Sequence, residues 1–183
     1  SLVERLKKVV EDAERELRRL TKETEDVLRE AEETIKRLSE RLKKANEDTE
    51  RKIRRLAKEN RDEKVIKKLE DVVRRSTKLV EDVHRDNERV LDEVRKLVDE
   101  VRKTNEDVLR EVRRLMEELA RLTDEKKIDD AIKRIRDLIE RVEEINKEVV
   151  DRIKELIERV EEINETVIRD SERLIKEVED EVR

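Results

Sequence analysis

The sequence is set apart first by the residue types that it lacks. Its 183 residues include no glycine, proline, cysteine, phenylalanine, tyrosine or tryptophan. Glycine and proline supply the tight turns of β-rich folds and the loops that cradle phosphates, so their absence argues against sandwiches, barrels and Rossmann folds. The absence of cysteine excludes disulfides, thiolate nucleophiles and cysteine-based metal sites.

Charge and hydropathy limit the kinds of partner. The chain carries 49 Lys and Arg against 54 Asp and Glu, a formal net charge of −5, and it has no aromatic side chain to stack on a nucleic-acid base. No apolar run approaches the roughly 18 residues of a membrane span, and the N-terminal residues lack the apolar centre of a signal peptide. We therefore expect neither a nucleic-acid nor a membrane partner. A soluble protein without a targeting signal, compatible with cytoplasmic expression, is expected, and no native location is indicated.

What the sequence does contain is a helical pattern along its whole length. Leu, Val, Ile and Ala recur at spacings of three and four, which indicates amphipathic helices. At about 100° per residue, the apolar stripe jumps by roughly 140–160° near position 60 and again near position 123. Two chain reversals explain the jumps. We predict an all-α, antiparallel up-down-up three-helix bundle with helices at about 2–59, 62–122 and 124–183, forming a single domain over 1–183.

Local signals at the junctions support these boundaries. Side-chain oxygens suited to helix N-caps stand at each predicted start: Ser1, Asp62, and Thr123 or Asp124. Glu4 follows Ser1 at the spacing of a capping box. Asn60 is predicted to take the left-handed conformation after the first helix, in the place that glycine often fills.

Each predicted helix contains an internal 18-residue repeat. NERVLDEVRKL at 87–97 returns as NEDVLREVRRL at 105–115, and LIERVEEIN at 138–146 returns at 156–164. One such repeat makes five turns at about 3.6 residues per turn, so the apolar stripe does not drift around the helix. The helices are therefore expected to be nearly straight rather than supercoiled.

Polar residues follow the same 18-residue repeat. Two predicted layers each take one residue from every helix: Thr21, Asn105 and Asn146 in the first, and Ser39, Asn87 and Asn164 in the second. When these residues are paired as antiparallel neighbours, the sequence midpoints between the partners fall close to the two predicted junctions. A looser third layer is predicted from Asn46, Thr49, Ser76 and Ser171. His84, one turn from the second layer, is predicted to donate a hydrogen bond within a polar layer. A buried Asn without partners costs about 1–3 kcal/mol, so we predict satisfied networks that oppose shifted helix registers.

The titratable residues do not form a recognisable catalytic or metal site. His84 is the only histidine, and Glu81 precedes it at the spacing of di-metal bundles, but a second such motif and further inward carboxylates are missing. With one histidine and no cysteine, no nucleophile–base pair is available. The glycosylation pattern at Asn164 lies on the apolar stripe and is interpreted as coincidence. We expect no enzyme activity, no catalytic residue, no cofactor, no metal and no small-molecule ligand.

These features together resemble computationally designed de novo helical bundles with buried hydrogen-bond networks. The resemblance covers the whole chain and rests on long idealised helices, 18-residue near-repeats, surfaces rich in Glu, Lys and Arg, and periodic Asn, Ser and Thr layers. It implies a designed structural scaffold with no natural biochemical activity, in which the layers specify the helix register.

The alternative to a scaffold is a designed interaction module. The apolar arcs are about 140° wide, which suits a closed three-helix core and equally a four-helix core with one place open. Such a module would be half of a hetero- or homo-oligomeric bundle, or a helix-exchange switch. A monomer is the expected state, and a helical partner or a homodimer is the alternative.

Overall fold

The computed structural model describes residues 1–121 and 124–182. They form three α-helices: α1 (Leu2–Glu59), α2 (Glu63–Leu119) and α3 (Glu125–Val182). The helices are 57 or 58 residues long and pack against each other as a bundle, which confirms the predicted fold class. The predicted second helix ran to 122, whereas α2 ends earlier, and the cap candidate Thr123 lies outside the described residues.

Side-chain oxygens cap the start of each helix. Ser1 Oγ accepts the backbone N–H of Glu4 at 3.3 Å, and the Glu4 carboxylate lies 3.4 Å from the N-terminal ammonium. Asp62 Oδ1 and Asp124 Oδ1 each accept the backbone N–H two residues later, at 3.0 and 3.1 Å. Each bond satisfies a first-turn N–H that has no partner inside the helix, so these predicted caps are confirmed.

The turn between α1 and α2 differs from its prediction at Asn60. No non-glycine residue in the described part of the chain has a positive φ, so the left-handed conformation predicted for Asn60 is wrong. Its backbone N–H instead donates to the carbonyl of Ala57 at 3.4 Å, and its Oδ1 accepts the N–H of Asp62 at 3.2 Å. The short polar side chain thus closes the turn by itself, without left-handed backbone.

The packed helices group into two compact units. Unit 1 comprises Ser1–Glu30 and Glu93–Lys154, and unit 2 comprises Ala31–Asp92 and Glu155–Arg183. Each unit therefore takes a segment from all three helices. The single domain predicted for 1–183 stays a prediction.

The core of unit 1 draws on every helix. One buried cluster contains Leu6 of α1, Val112 of α2, and Ile128 and Ile135 of α3, each 0% or 1% exposed. Full burial of one such side chain stabilises the fold by about 1.5–3 kcal/mol relative to exposure. Together these contacts explain why amphipathic helices with charged outer faces associate here.

Neighbouring helices of unit 1 run antiparallel, as its ion pairs show. Rising numbers on one helix meet falling numbers on the next: Glu14 with Arg113 at 3.2 Å, Glu25 with Arg102 at 3.7 Å, Glu93 with Arg152 at 3.8 Å, and Glu111 with Arg134 at 3.1 Å. The first two pairs join α1 to α2, and the last two join α2 to α3. The predicted up-down-up order therefore holds within this unit.

Unit 2 packs in the same manner. Three buried clusters follow one another along it: Ile35, Leu38 and Val160; Leu42, Val80, Val83 and Val167; and Ile53, Leu69 and Val178. Numbers rise along α1 and α3 as they fall along α2, so the segments of this unit are antiparallel too. Within 1–121 and 124–182, no helix has the length and apolarity that crossing a membrane requires.

Candidate functional site

The first polar layer lies inside unit 1 and joins its three helices. Asn105 Nδ2 donates to Asn146 Oδ1 at 3.1 Å, and Asn146 Nδ2 donates to Asn105 Oδ1 at 2.7 Å. Asn105 Nδ2 also donates to Thr21 Oγ1 at 3.1 Å, and Asn146 Nδ2 to the carbonyl of Val142 at 2.8 Å. Both asparagines are only 2% exposed. Every amide N–H of the pair thus has an acceptor, and each amide oxygen has a donor.

Thr24 contributes a buried hydroxyl to unit 1 that the predicted layers omit, whereas Thr21 of the first layer is half-buried. It is 1% exposed, and its Oγ1 lies 2.9 Å from the carbonyl of Thr21 and 3.2 Å from that of Leu20. A hydroxyl that donates to its own helix needs no partner on another helix. The position of Thr24 on the apolar stripe was the signal that could have revealed it.

The second polar layer repeats this arrangement inside unit 2. Asn87 Nδ2 donates to Asn164 Oδ1 at 2.9 Å, and Asn164 Nδ2 donates to Asn87 Oδ1 at 2.8 Å. Asn87 Nδ2 reaches Ser39 Oγ at 3.5 Å, and Asn164 Nδ2 donates to the carbonyl of Val160 at 2.8 Å. The structure therefore brings together the three residues predicted for each of the two main layers.

One repeat before Asn146 and one repeat before Asn87, the same helical face carries an apolar residue, whereas one repeat after each it carries another asparagine. In unit 1, Ile128 stands one repeat before Asn146 and is 1% exposed. In unit 2, Leu69 stands one repeat before Asn87 and is 2% exposed. A five-turn slide of α3 in unit 1 would place Ile128 against Asn105, whose amide would lose its partner at a cost of about 1–3 kcal/mol.

The predicted third layer assembles only in part, within unit 2. Ser76 Oγ donates to Asn46 Oδ1 at 3.5 Å, which joins α2 to α1. Thr49 and Ser171 are buried, but each donates to the carbonyl four residues earlier in its own helix, at 2.9 and 3.0 Å. The structure therefore shows one cross-helix pair here, not a four-residue network.

His84 does not belong to the second layer, and that prediction is wrong. Its side chain is 51% exposed, and its Nε2 lies 3.2 Å from the carboxylate of Glu88 on the same helix. The core position at this level is taken by the preceding residue, Val83, which is 5% exposed. Glu81, the other half of the metal-like spacing, is exposed as well. The part of the chain that the structure describes contains no group of three or more side chains able to hold a metal.

The buried polar atoms are satisfied by the protein itself. Among residues 1–121 and 124–182, every buried side-chain nitrogen and oxygen has a hydrogen-bond partner. Amides and hydroxyls of this kind do not change charge across the ordinary pH range. The layers can hold helices in place, and they present no unsatisfied group to a substrate.

On the surface of unit 1, the hydrogen bond from Arg19 to Glu16, together with the charge of Glu16, raises the pKa of the Arg19 guanidinium.

No family model matches the chain, and no curated protein or solved structure matches it either. The geometry therefore carries the functional argument. It consists of a three-helix bundle in which each unit encloses one Asn–Asn pair that a hydroxyl of α1 completes.

Proposed function

We propose that this chain is a structural scaffold without catalytic activity, in which the buried asparagine layers fix the register of neighbouring helices. The observation that carries the proposal is the reciprocal amide pair in each unit, Asn105 with Asn146 and Asn87 with Asn164. An amide whose donors and acceptor are all used inside the protein has none left for a substrate. The same amides distinguish the observed alignment of neighbouring helices from one that is shifted by a single turn.

The asparagine pairs affect the free-energy difference between helix registers more than they affect the total stability. A satisfied amide hydrogen bond contributes about 0.5–1.5 kcal/mol net, whereas a buried donor or acceptor without a partner costs about 1–3 kcal/mol. A one-turn slide of α3 in unit 1 would set Asn105 against Val142 or Val150, which are both buried and apolar. Both amides of the pair would then lose their partners, so the slid register is disfavoured by several times RT.

We also propose that the chain is of designed origin. Its support lies in the sequence: 18-residue near-repeats, helices without glycine or proline, and polar positions that recur at one helical phase. Consistency between local propensity, patterning and buried polar satisfaction is what design aims at.

Cross-linking tests the register function directly, because the chain has no cysteine of its own. Glu111 and Arg134 lie 3.1 Å apart across α2 and α3, so Glu111→Cys with Arg134→Cys reports the native register through a short bis-maleimide. Glu111→Cys with Asp130→Cys reports a slide of about one turn. Asn105→Leu with Asn146→Leu, added to both, should lower cross-linking of the first pair and raise that of the second.

A matched control replaces an apolar pair at the same relative register. Val98 and Ile153 are 2% and 1% exposed, and Val98→Leu with Ile153→Leu leaves the amides in place. Cross-linking in this control should follow the native pattern. If the asparagine-free protein also cross-links only at the native pair, the layers do not specify register and the proposal fails.

An interaction module is the second candidate, and one observation favours it. Leu79 and Ile163 are 47% and 45% exposed, and both belong to unit 2. Burial of these side chains against a second copy would remove apolar surface from water. Light scattering distinguishes the candidates: a mass near 22.2 kDa supports the monomeric scaffold. Twice that mass, reversed by Leu79→Lys with Ile163→Lys, supports self-association.

A further inference from the structure

A surface groove in unit 2 runs between the end of α1 and the start of α2. Its volume is about 510 Å³, which lies within the range of roughly 300–1,000 Å³ for small-molecule sites. Ala57 is the reason that the groove is open on the α1 side. It stands one repeat after Ser39, and its methyl group leaves space that a longer side chain would fill.

The groove has an apolar lining. Ile53 and Leu69 are 1% and 2% exposed, so they form a packed layer beneath it. Ala57 and Val73 are half-buried and present apolar surface to the outside. The aliphatic part of Lys58 extends this surface, because lysine lays its methylenes along apolar groups and keeps its charge in water.

The rim of the groove is positively charged. Arg54, Lys58 and Arg74 line it against a single carboxylate, Glu70. The two arginines also pair along their own helices, Arg54 with Glu50 at 2.5 Å and Arg74 with Asp71 at 3.1 Å. Lys58 makes no ion pair with another residue of the described chain. Its ammonium is therefore the cation most available to an incoming anion.

We propose that this groove binds a small anionic amphiphile, in which a carboxylate or sulfonate is attached to an apolar body. The acidic head would lie at Lys58, and the apolar body would cover Ala57 and Val73. The lining on α1 runs only from 53 to 58, about 7.5 Å at 1.5 Å per residue, which is too short for a docked helix of several turns. Size and charge together therefore select a small molecule, a class of ligand that the sequence did not predict.

A groove of similar size in unit 1 provides an internal comparison. It measures about 520 Å³, but Glu23, Glu143, Glu144 and Asp151 outnumber the cations Arg19, Lys147 and Lys154 in its lining. Its floor combines buried polar residues, Thr24 and Asn146, with buried apolar ones, Leu20 and Val150. The difference therefore lies in charge, because an anionic amphiphile finds no positive rim there.

Fluorescence titration of the full chain with anilinonaphthalene sulfonate tests the proposal. We expect saturable binding with a Kd of about 20–200 μM, as befits a drug-sized ligand on an open site, and displacement by decanoate. The neutral analogue phenylnaphthylamine, which lacks the sulfonate, should bind at least ~5-fold more weakly. Circular dichroism of each protein guards against dye uptake by a loosened core.

Substitutions locate the binding. Lys58→Gln with Arg74→Gln should weaken binding at least ~5-fold through loss of charge, and Ala57→Leu should weaken it at least ~10-fold by filling the groove. The matched control in unit 1, Lys147→Gln with Lys154→Gln, should bind as the parent does. Absence of binding by the parent, equal affinity for the neutral analogue, or equal weakening by the control would each overturn the proposal.

Discussion

Unit 1 and unit 2 enclose the same Asn–Asn–hydroxyl network, yet their interiors differ in polarity around it. At equivalent steps of the 18-residue repeat, unit 2 has polar residues where unit 1 is apolar: Asn46 for Leu28, Ser76 for Val94, and Ser171 for Ile153. The opposite exchange occurs at Thr24 in unit 1, where unit 2 has Leu42. The comparison shows that the buried polar residues have two different roles. The paired asparagines join helices, while the additional hydroxyls mostly bond to their own backbone and reduce the apolar surface that is buried.

The surfaces of the two units also differ, in their ion pairs and in their exposed apolar side chains. Ion pairs such as Glu14–Arg113 and Glu111–Arg134 join different helices of unit 1. Around the groove of unit 2, Arg54 and Arg74 pair only along their own helices. Unit 2 also carries the exposed Leu79. Because its additional buried polar residues leave less apolar surface buried, we expect unit 2 to be the less stable of the two.

The largest expected effect comes from breaking one amide pair in each unit. Asn105→Ala or Asn87→Ala leaves the partner asparagine buried without its hydrogen bonds and opens a small cavity. Each should lower the free energy of unfolding by about 3 kcal/mol, measured by guanidinium titration. Since the networks match, the two losses should agree within about 1 kcal/mol. A loss confined to one unit would show that the two networks are not equivalent.

Replacing the additional polar residues of unit 2 by the apolar residues of unit 1 should have an intermediate effect on the free energy of unfolding. Asn46→Leu with Ser76→Val gives unit 2 the residues found at the equivalent positions of unit 1. We expect the free energy of unfolding to rise by about 1–2 kcal/mol, because apolar burial replaces a long hydrogen bond. The mirror control, Leu28→Asn with Val94→Ser, should lower it. Equal signs for the two exchanges would contradict the interpretation.

Hydrogen exchange should reveal the difference in local stability. Backbone amides of helix segments in unit 2 are expected to exchange about 10-fold faster than those in unit 1, which corresponds to about 1.4 kcal/mol in local opening. Mass spectrometry of peptides from 31–59 and 1–30 compares the two parts of α1 directly. Faster exchange in the segment 1–30 would reverse the proposed order.

The smallest effect is expected at His84. It lies on the surface beside Glu88, outside the second layer, and exposed pairs contribute little to stability. His84→Gln should change the free energy of unfolding by less than about 0.5 kcal/mol, measured in the same titration. Glu88→Gln is the matched control for the pair. A loss above about 1 kcal/mol would mean that the imidazole supports the layer after all.

Much of the fold and of the two main layers could be predicted because both depend on the angular position of each residue around its helix, which the spacing in the sequence gives. An 18-residue step returns a side chain to the same face of a helix, so Asn87 had to point inwards together with Asn105, and Asn146 together with Asn164. The hydrogen-bond partners of Thr49 and Ser171 were harder to predict. Angular position places a hydroxyl in the core, but it does not show whether the hydroxyl will donate to its own backbone or to another helix.

The remaining errors and omissions have local causes. His84 follows Val83, which takes the interior position on this turn of the helix and leaves the imidazole on the exposed face. Asn60 closed its turn through its side chain rather than through a left-handed backbone. The groove at Ala57 depends on which side chains surround a small residue from two helices, and this follows only from the packed structure.

The reciprocal amide pairs also give the molecule an intrinsic spectroscopic signature. The chain has no glutamine and six asparagines, four of which form the pairs, so most side-chain NH₂ resonances of the amide type belong to the two networks. Each pair should appear as shifted, slowly exchanging nitrogen–proton signals that vanish only when its own helices part. Opening of either half could thus be followed without attaching any label.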